Sequence, residues 1–163
     1  MNEKSEFVTE LWEHLESCPF VMVDVPAQDA HAEPMVAFTA PKDHPESLFF
    51  FTHRDNRIVQ AVIAGVDWAS ATFASERHDF FASLRGTLHL SGDAALIDRF
   101  WTAEVNSWFE GGKSDPMLQL IELRVDDAEL WKVNRSLRQR MQQIFGGPVS
   151  LPTASDLQVA RRG

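Results

Sequence analysis

Most of this chain is a succession of strand-forming runs joined by links of hairpin length, and that spacing narrows its fold more than any other feature. Runs at 20–25, 33–40, 48–52, 66–74, 80–90, 117–125 and 128–133 are rich in β-branched and aromatic residues. Parallel strands need a crossover of about a dozen residues or more, and most of these links are too short for one. The pattern predicts a mostly β fold, an antiparallel sheet of six or seven strands closing into a small barrel, not a doubly wound parallel sheet. Leu48-Phe49-Phe50-Phe51-Thr52 lacks polar alternation, which predicts a fully buried strand.

Helical spacing is confined to shorter stretches between the strands. Phe7, Leu11 and Leu15, with Val8 and Trp12, predict an amphipathic helix over 6–17 that stops at Cys18-Pro19. Asp55-Asn56-Arg57 can start a short helix carrying Ile58, Val59, Val62 and Ile63, with Gly65 as its stop. Asp93 is placed to cap another, carrying Leu96, Ile97, Phe100, Trp101 and Val105, which the Glu110-Gly111-Gly112-Lys113-Ser114-Asp115-Pro116 run breaks. The expected organisation is one barrel domain over 1–133, then a basic C-terminal helix and tail over 134–163. From Pro148 onward the tail has little to bury and is expected to be loose or docked on a partner.

Charge and cysteine content then remove function classes. The 163 residues carry a net charge of −9 with pI near 5.0, against broad binding to nucleic acid or anionic membranes. The charge is uneven: residues 1–133 hold 10 Lys/Arg and 23 Asp/Glu, while residues 134–163 hold five Arg against Asp156 alone. One cysteine, Cys18, excludes an intrachain disulfide and any multi-cysteine metal site. No apolar run approaches the roughly 18 residues of a spanning helix, and the acidic start is not that of a signal peptide. A cytoplasmic protein is expected.

Covalent or acid–base machinery is not visible in the sequence. The six histidines show no metal-ligand spacing, and Trp12-Glu13-His14 lacks a second histidine four residues on. Cys18 reads as a small packed residue, and Ser83 and Ser91 have no nucleophile-elbow context. Two segments remain. Thr52-His53-Arg54-Asp55-Asn56-Arg57 follows a buried strand and precedes a helix, a composition that suits a phosphate, or else an ordinary polar turn whose arginines pair with Asp55 and its neighbours. Trp108-Phe109-Glu110-Gly111-Gly112-Lys113-Ser114-Asp115-Pro116 could cover a planar anionic ligand, or simply be a helix end packed on the core.

Taken together, these segments resemble the pyridoxamine 5′-phosphate oxidase-like, FMN-binding split-barrel proteins, in their general stress protein branch. The resemblance is carried by His31-Ala32-Glu33-Pro34-Met35, Leu48-Phe49-Phe50-Phe51-Thr52-His53-Arg54-Asp55, Leu84-Arg85-Gly86-Thr87, Phe100-Trp101 with the 108–116 stretch, and Ala128-Glu129-Leu130-Trp131. It implies a six-stranded split barrel, a homodimer, and two flavin sites at the dimer interface, with FMN bound or else FAD. Carried over residue by residue, Met35, Phe51, Thr52 and His53 would contact the ring or ribityl chain, and Arg54, Asn56 and Arg57 would hold the phosphate. Ser83 is a weaker carry-over; Trp108, Lys113 and Trp131 would approach from the helix end and last strands. The implied function is a flavin-dependent oxidoreductase on an unknown small molecule, or a non-catalytic flavin-binding stress protein. Glu33 stands where the family usually has arginine before Pro-Met. Arg135, Arg138 and Arg140 echo the oxidases' Arg/His cluster without its histidine, which argues against pyridoxamine-phosphate oxidation itself.

Overall fold

The computed structural model of the chain describes residues 3–133 and 157–162, with side chains over 9–133. The first helix, α1, spans Glu3–Ser17. Strand β1 (Phe20–Asp24) is followed by β2 (Glu33–Val36), β3 (Phe38–Ala40) and β4 (His44–His53). A short helix, α2 (Arg57–Ile63), leads to β5 (Trp68–Ala74) and β6 (Phe80–Ser91). Helices α3 (Ala94–Phe100) and α4 (Ala103–Ser107) precede the long β7 (Leu118–Val133), and β8 spans Leu157–Arg162.

All the strand pairs are antiparallel, in the order β2-β1-β5-β6-β7-β4-β3, with β8 added along β7. The two ends of that order, β2 and β3, are consecutive in the chain and separated only by Ala37. The 33–40 segment therefore bends from one edge of the curled sheet to the other. Ala37 marks the changeover: its N–H donates to the Pro19 carbonyl at 2.7 Å, the last bond toward β1, and from Phe38 the chain pairs with β4 instead. The six expected strands become seven on this path because that one strand splits in two.

The sheet separates two cores. Leu48 and Phe50 point into the barrel with Val21, Val23, Ala71, Leu84 and Ile121, joined by Leu11 and Leu15 of α1 and Ile58 and Val59 of α2. Phe49 and Phe51 point the other way, onto Leu96 and Phe100 of α3, Val105 of α4 and Phe109. A strand covered on both faces has no solvent side, so the unbroken apolar run of β4 is the expected sequence for it.

Three expectations are corrected. Residues 117–125 and 128–133 form one strand, β7, with the register shifting opposite Arg85/Gly86 so that Asp126 is the extra residue of a bulge. The helix expected from Asp93 through Val105 breaks after Phe100, because Thr102 caps α4 separately by accepting from the Val105 N–H at 3.2 Å. The end of the tail is not loose in backbone terms, since β8 pairs with β7 from Ala128↔Arg162 to Val133↔Leu157. The basic helix expected after 133, with Arg135, Arg138 and Arg140, lies outside the described residues. Among the described residues, no helix is long and apolar enough to cross a membrane.

Candidate functional site

The polar loop after β4 is held in place by its own backbone. Arg54 N–H donates to the Met117 carbonyl at 2.9 Å, and Asn56 N–H to that of His53 at 3.0 Å. Asn56 caps α2, its Oδ1 accepting from the Ile58 N–H at 2.8 Å, and Gln60 Nε2 donates to the Arg54 carbonyl at 2.7 Å. The helix ends at Ala64, with Gly65 at φ +85°, a backbone state that favours glycine. The Arg54 side chain is exposed, makes only a long Nε contact of 3.5 Å to the Leu118 carbonyl, and forms no ion pair among the described residues.

Asn56 and Arg57 are already engaged, and not by Asp55. Glu33, at the start of β2, accepts from Asn56 Nδ2 at 2.9 Å through Oε2 and from Arg57 Nε through Oε1. Arg57 Nη2 donates to the His31 carbonyl, while its Nη1 is buried without a partner. Gln28 Nε2 donates to the Arg57 carbonyl at 3.3 Å. This cluster joins residues more than 20 positions apart in sequence. Glu33 stands out in the sequence for its type, but nothing there shows which residues it binds.

Alternation along β4 puts neighbouring candidates on opposite faces. Thr52 lies on the side of Leu48 and Phe50, whereas Phe51 and His53 lie on the side of α3 and α4. The His53 ring packs 5.0 Å from that of Phe109, and its Nε2 lies 3.2 Å from the Trp108 carbonyl, a hydrogen bond when that nitrogen is protonated. Trp101 meets Phe51 edge-on at 5.7 Å, and Lys113 Nζ lies 5.8 Å over the Trp101 ring while pairing with Asp98. Sequence spacing does not bring Trp101 and Asp98 to Lys113, because their proximity depends on the break between α3 and α4.

The 108–116 segment is both a helix end and a built turn. Phe109 is buried in the second core, Trp108 is half-buried, and Gly112 takes φ +58°. Asp115 accepts from the Gly111 N–H at 2.9 Å and the Met117 N–H at 2.8 Å. Those two bonds, with a smaller contribution from the His53 charge, hold its carboxyl below the ordinary value of 3.8.

The remaining candidates lie elsewhere. Met35 points into the barrel core. Ser83 and Trp131 lie on the outer face of the sheet, in cross-strand rows: Met22↔Thr72↔Ser83↔Glu129 and Ala74↔Phe81↔Trp131. That face carries exposed Phe20 and Met22 and an open groove of about 400 Å³ lined by Phe20, Met22, Pro34 and Phe81 among others. Among the described residues, no group of His, Cys, Asp and Glu is placed to hold a metal ion.

The pattern of the family described as "Pyridoxamine 5′-phosphate oxidase like" matches residues 6–147. The chain belongs to that family. Its curled antiparallel sheet is the family's split barrel, and the solved structures similar to it include several general stress proteins. A general stress FMN/FAD binding protein from Xanthomonas citri is 35% identical, with a TM-score of 0.71 over 91% of this chain and 99% of that one. A structure from Xanthomonas campestris pv. campestris, assigned to a general stress family, is 34% identical, with a TM-score of 0.73 over 93% and 100%. One from Jannaschia sp. CCS1, assigned as general stress protein 26, is 25% identical, with a TM-score of 0.74 over 88% and 91%. No curated protein matches the chain.

Proposed function

We propose that this member of the pyridoxamine 5′-phosphate oxidase-like family binds a flavin, FMN with FAD as the alternative, at sites shared between the two subunits of a homodimer. In this reading it uses the flavin to oxidise or reduce a small molecule. The observation that carries the proposal is the division of the candidate residues into two sets that one subunit keeps apart. Thr52 pairs with Gln119, and Trp131 lies twelve residues further along β7. At ~3.3 Å per residue that is about 40 Å measured along the strand, and Trp131 faces outward from the sheet whereas Thr52 lies on the barrel side. A second copy can supply the Ser83 and Trp131 face to the 52–57 loop of the first. Phe20, 62% exposed, and Met22 on that same face are the apolar surface such an interface would cover.

The residues present fit a flavin phosphate in kind. Arg54 is free to donate, and the orphaned Nη1 of Arg57 is a buried donor in need of an acceptor. A bound flavin supplies electron or hydride transfer, so the protein's part is binding, orientation and electrostatics. Arg54 and Arg57 would hold the phosphate, Trp101, Trp108 and the His53 ring would shield the site from water, and Lys113, tethered by Asp98, would set a positive charge at the aromatic wall.

A second reading, storage or sensing of flavin without turnover, is favoured by the Glu33 contacts, which occupy two of the three expected phosphate ligands. The absorbance spectrum and sedimentation behaviour of the purified protein test the shared part of both readings. A yellow dimer, or a colourless one that gains flavin absorbance on titration with FMN, is expected. A protein that never acquires flavin absorbance refutes both. Reduction with NAD(P)H followed by reoxidation with candidate acceptors separates them, since only the enzyme is reoxidised faster by a substrate.

A further inference from the structure

Resting on the flavin reading above, we infer that Glu33 sets how weakly this protein distinguishes phosphorylated from unphosphorylated flavins. Its carboxylate occupies, from within the chain, the anion position that Asn56 and Arg57 would otherwise offer to a phosphate. One oxygen takes the Arg57 Nε and the other takes the Asn56 Nδ2 at 2.9 Å. That is the two-oxygen engagement by which a guanidinium and its neighbours also grip a phosphate edge. The rest of each side chain is equally committed. Asn56 Oδ1 is spent on the cap of α2, and Arg57 Nη2 on the His31 carbonyl. Arg57 Nη1, buried and unpartnered, is the nitrogen of the pair left wholly uncommitted to an acceptor.

A phosphate monoester brings roughly two negative charges at neutral pH. It must displace Glu33 from Arg57, or settle beside it against like-charge repulsion. The ring and ribityl chain of an unphosphorylated flavin meet no such obstacle. The Glu33 and Arg57 side chains are 28% and 31% exposed, so water and salt moderate the repulsion, and FMN binding is weakened instead of abolished. A plain structural ion pair between β2 and α2 would make a different prediction: losing it would loosen the loop for every flavin alike.

The test is fluorescence titration of the full-length protein with FMN and with riboflavin, for wild type and Glu33→Gln, at low and high salt. Wild type is expected to prefer FMN over riboflavin by less than about tenfold. Two uncontested charge-assisted hydrogen bonds to the phosphate would give a preference of at least about a hundredfold. Glu33→Gln is expected to tighten FMN about tenfold at low salt, less at high salt, and to move riboflavin by no more than about twofold. A wild-type preference of a hundredfold or more overturns the inference, as does a Glu33→Gln protein that leaves FMN unchanged or shifts both flavins equally. The wild-type ratio needs no variant, so it decides the matter even if Glu33→Gln does not fold. Binding of riboflavin without the FMN-selective gain removes only the role of Glu33, whereas no binding of either flavin by either protein removes the flavin reading as well.

Discussion

Gly86 sits in β6 opposite the bulge of β7, and replacing it with alanine tests the barrel at its tightest point. A Cβ built there would lie 1.7 Å from the Arg124 carbonyl oxygen, 2.7 Å from its carbonyl carbon and 3.0 Å from Val125 Cα. All three are backbone atoms, so no rotamer change relieves the contact. Nor can β7 step back, because its other edge is bonded to β4 in this stretch, with Arg124 in register with Ser47 and Leu123 with Leu48. The methyl group must therefore break either the β6 ladder or the β4 ladder, next to buried Leu84, Leu88 and Leu123. Overpacking of a side chain among side chains costs about 1–3 kcal/mol, and a clash with fixed backbone belongs at or above the top of that range. At ~2–4 °C per kcal/mol for a chain of this size, Gly86→Ala is expected to lower Tm by about 6–12 °C or to prevent folding. Gly92→Ala is the control: its Cβ would meet nothing within 4 Å, and the expected change is within ~0.5 kcal/mol. Thermal and denaturant unfolding followed by circular dichroism measures both. A Gly86→Ala protein melting within about 3 °C of wild type refutes the account of the bulge.

Arg54→Ala is expected to weaken FMN binding about tenfold in a fluorescence titration while Tm stays put, because the exposed side chain makes only a 3.5 Å contact within its own chain. Unchanged affinity would remove Arg54 from the site. Asp93→Ala deletes an oxygen that accepts from the Ala95 and Leu96 N–H groups at 2.9 and 3.2 Å. The expected cost is ~1 kcal/mol, read as a drop of a few degrees in Tm. Asp115 has a folded-state pKa depressed by its bonds from Gly111 and Met117. Its contribution is therefore complete above the ordinary carboxyl range and lost as pH falls below 3.8 toward the lower folded value. Titration of the Asp115 carboxyl followed by NMR should show that depressed value, and in thermal unfolding Asp115→Asn should flatten the loss of stability across the same acid range; an equal loss in the variant would contradict the assignment.

Local information sufficed for much of this fold. Hairpin-length links, the apolar run at 48–52, the helix start at Asp55-Asn56-Arg57 and the cap at Asp93 are readable because each depends on neighbours within a few residues: pleat alternation, turn chemistry and helix capping are short-range physics. The same holds for the 52–57 loop and the 108–116 turn, whose residue types mark them as candidate anion and aromatic sites without reference to any distant segment. Gly86 is marked by its motif, but its reason, the missing room for a Cβ, lies in a strand nearly forty residues away.

Long-range contacts decided the rest. The bend at Ala37 is imposed by closing the sheet, when one strand must serve two edges. The bulge at Asp126 arises because β7 must stay bonded to β6 across a strongly curled stretch. The engagement of Asn56 and Arg57 by Glu33 follows from β2 passing beside the start of α2, a neighbour relation no spacing rule contains. By itself the sequence marked Arg54, Asn56 and Arg57 as candidates for an anion, and its family resemblance made that anion a flavin phosphate. The tertiary structure determined that a carboxylate already holds two of them and that Ser83 and Trp131 face outward, because side-chain partners and sheet faces are set only once distant segments meet.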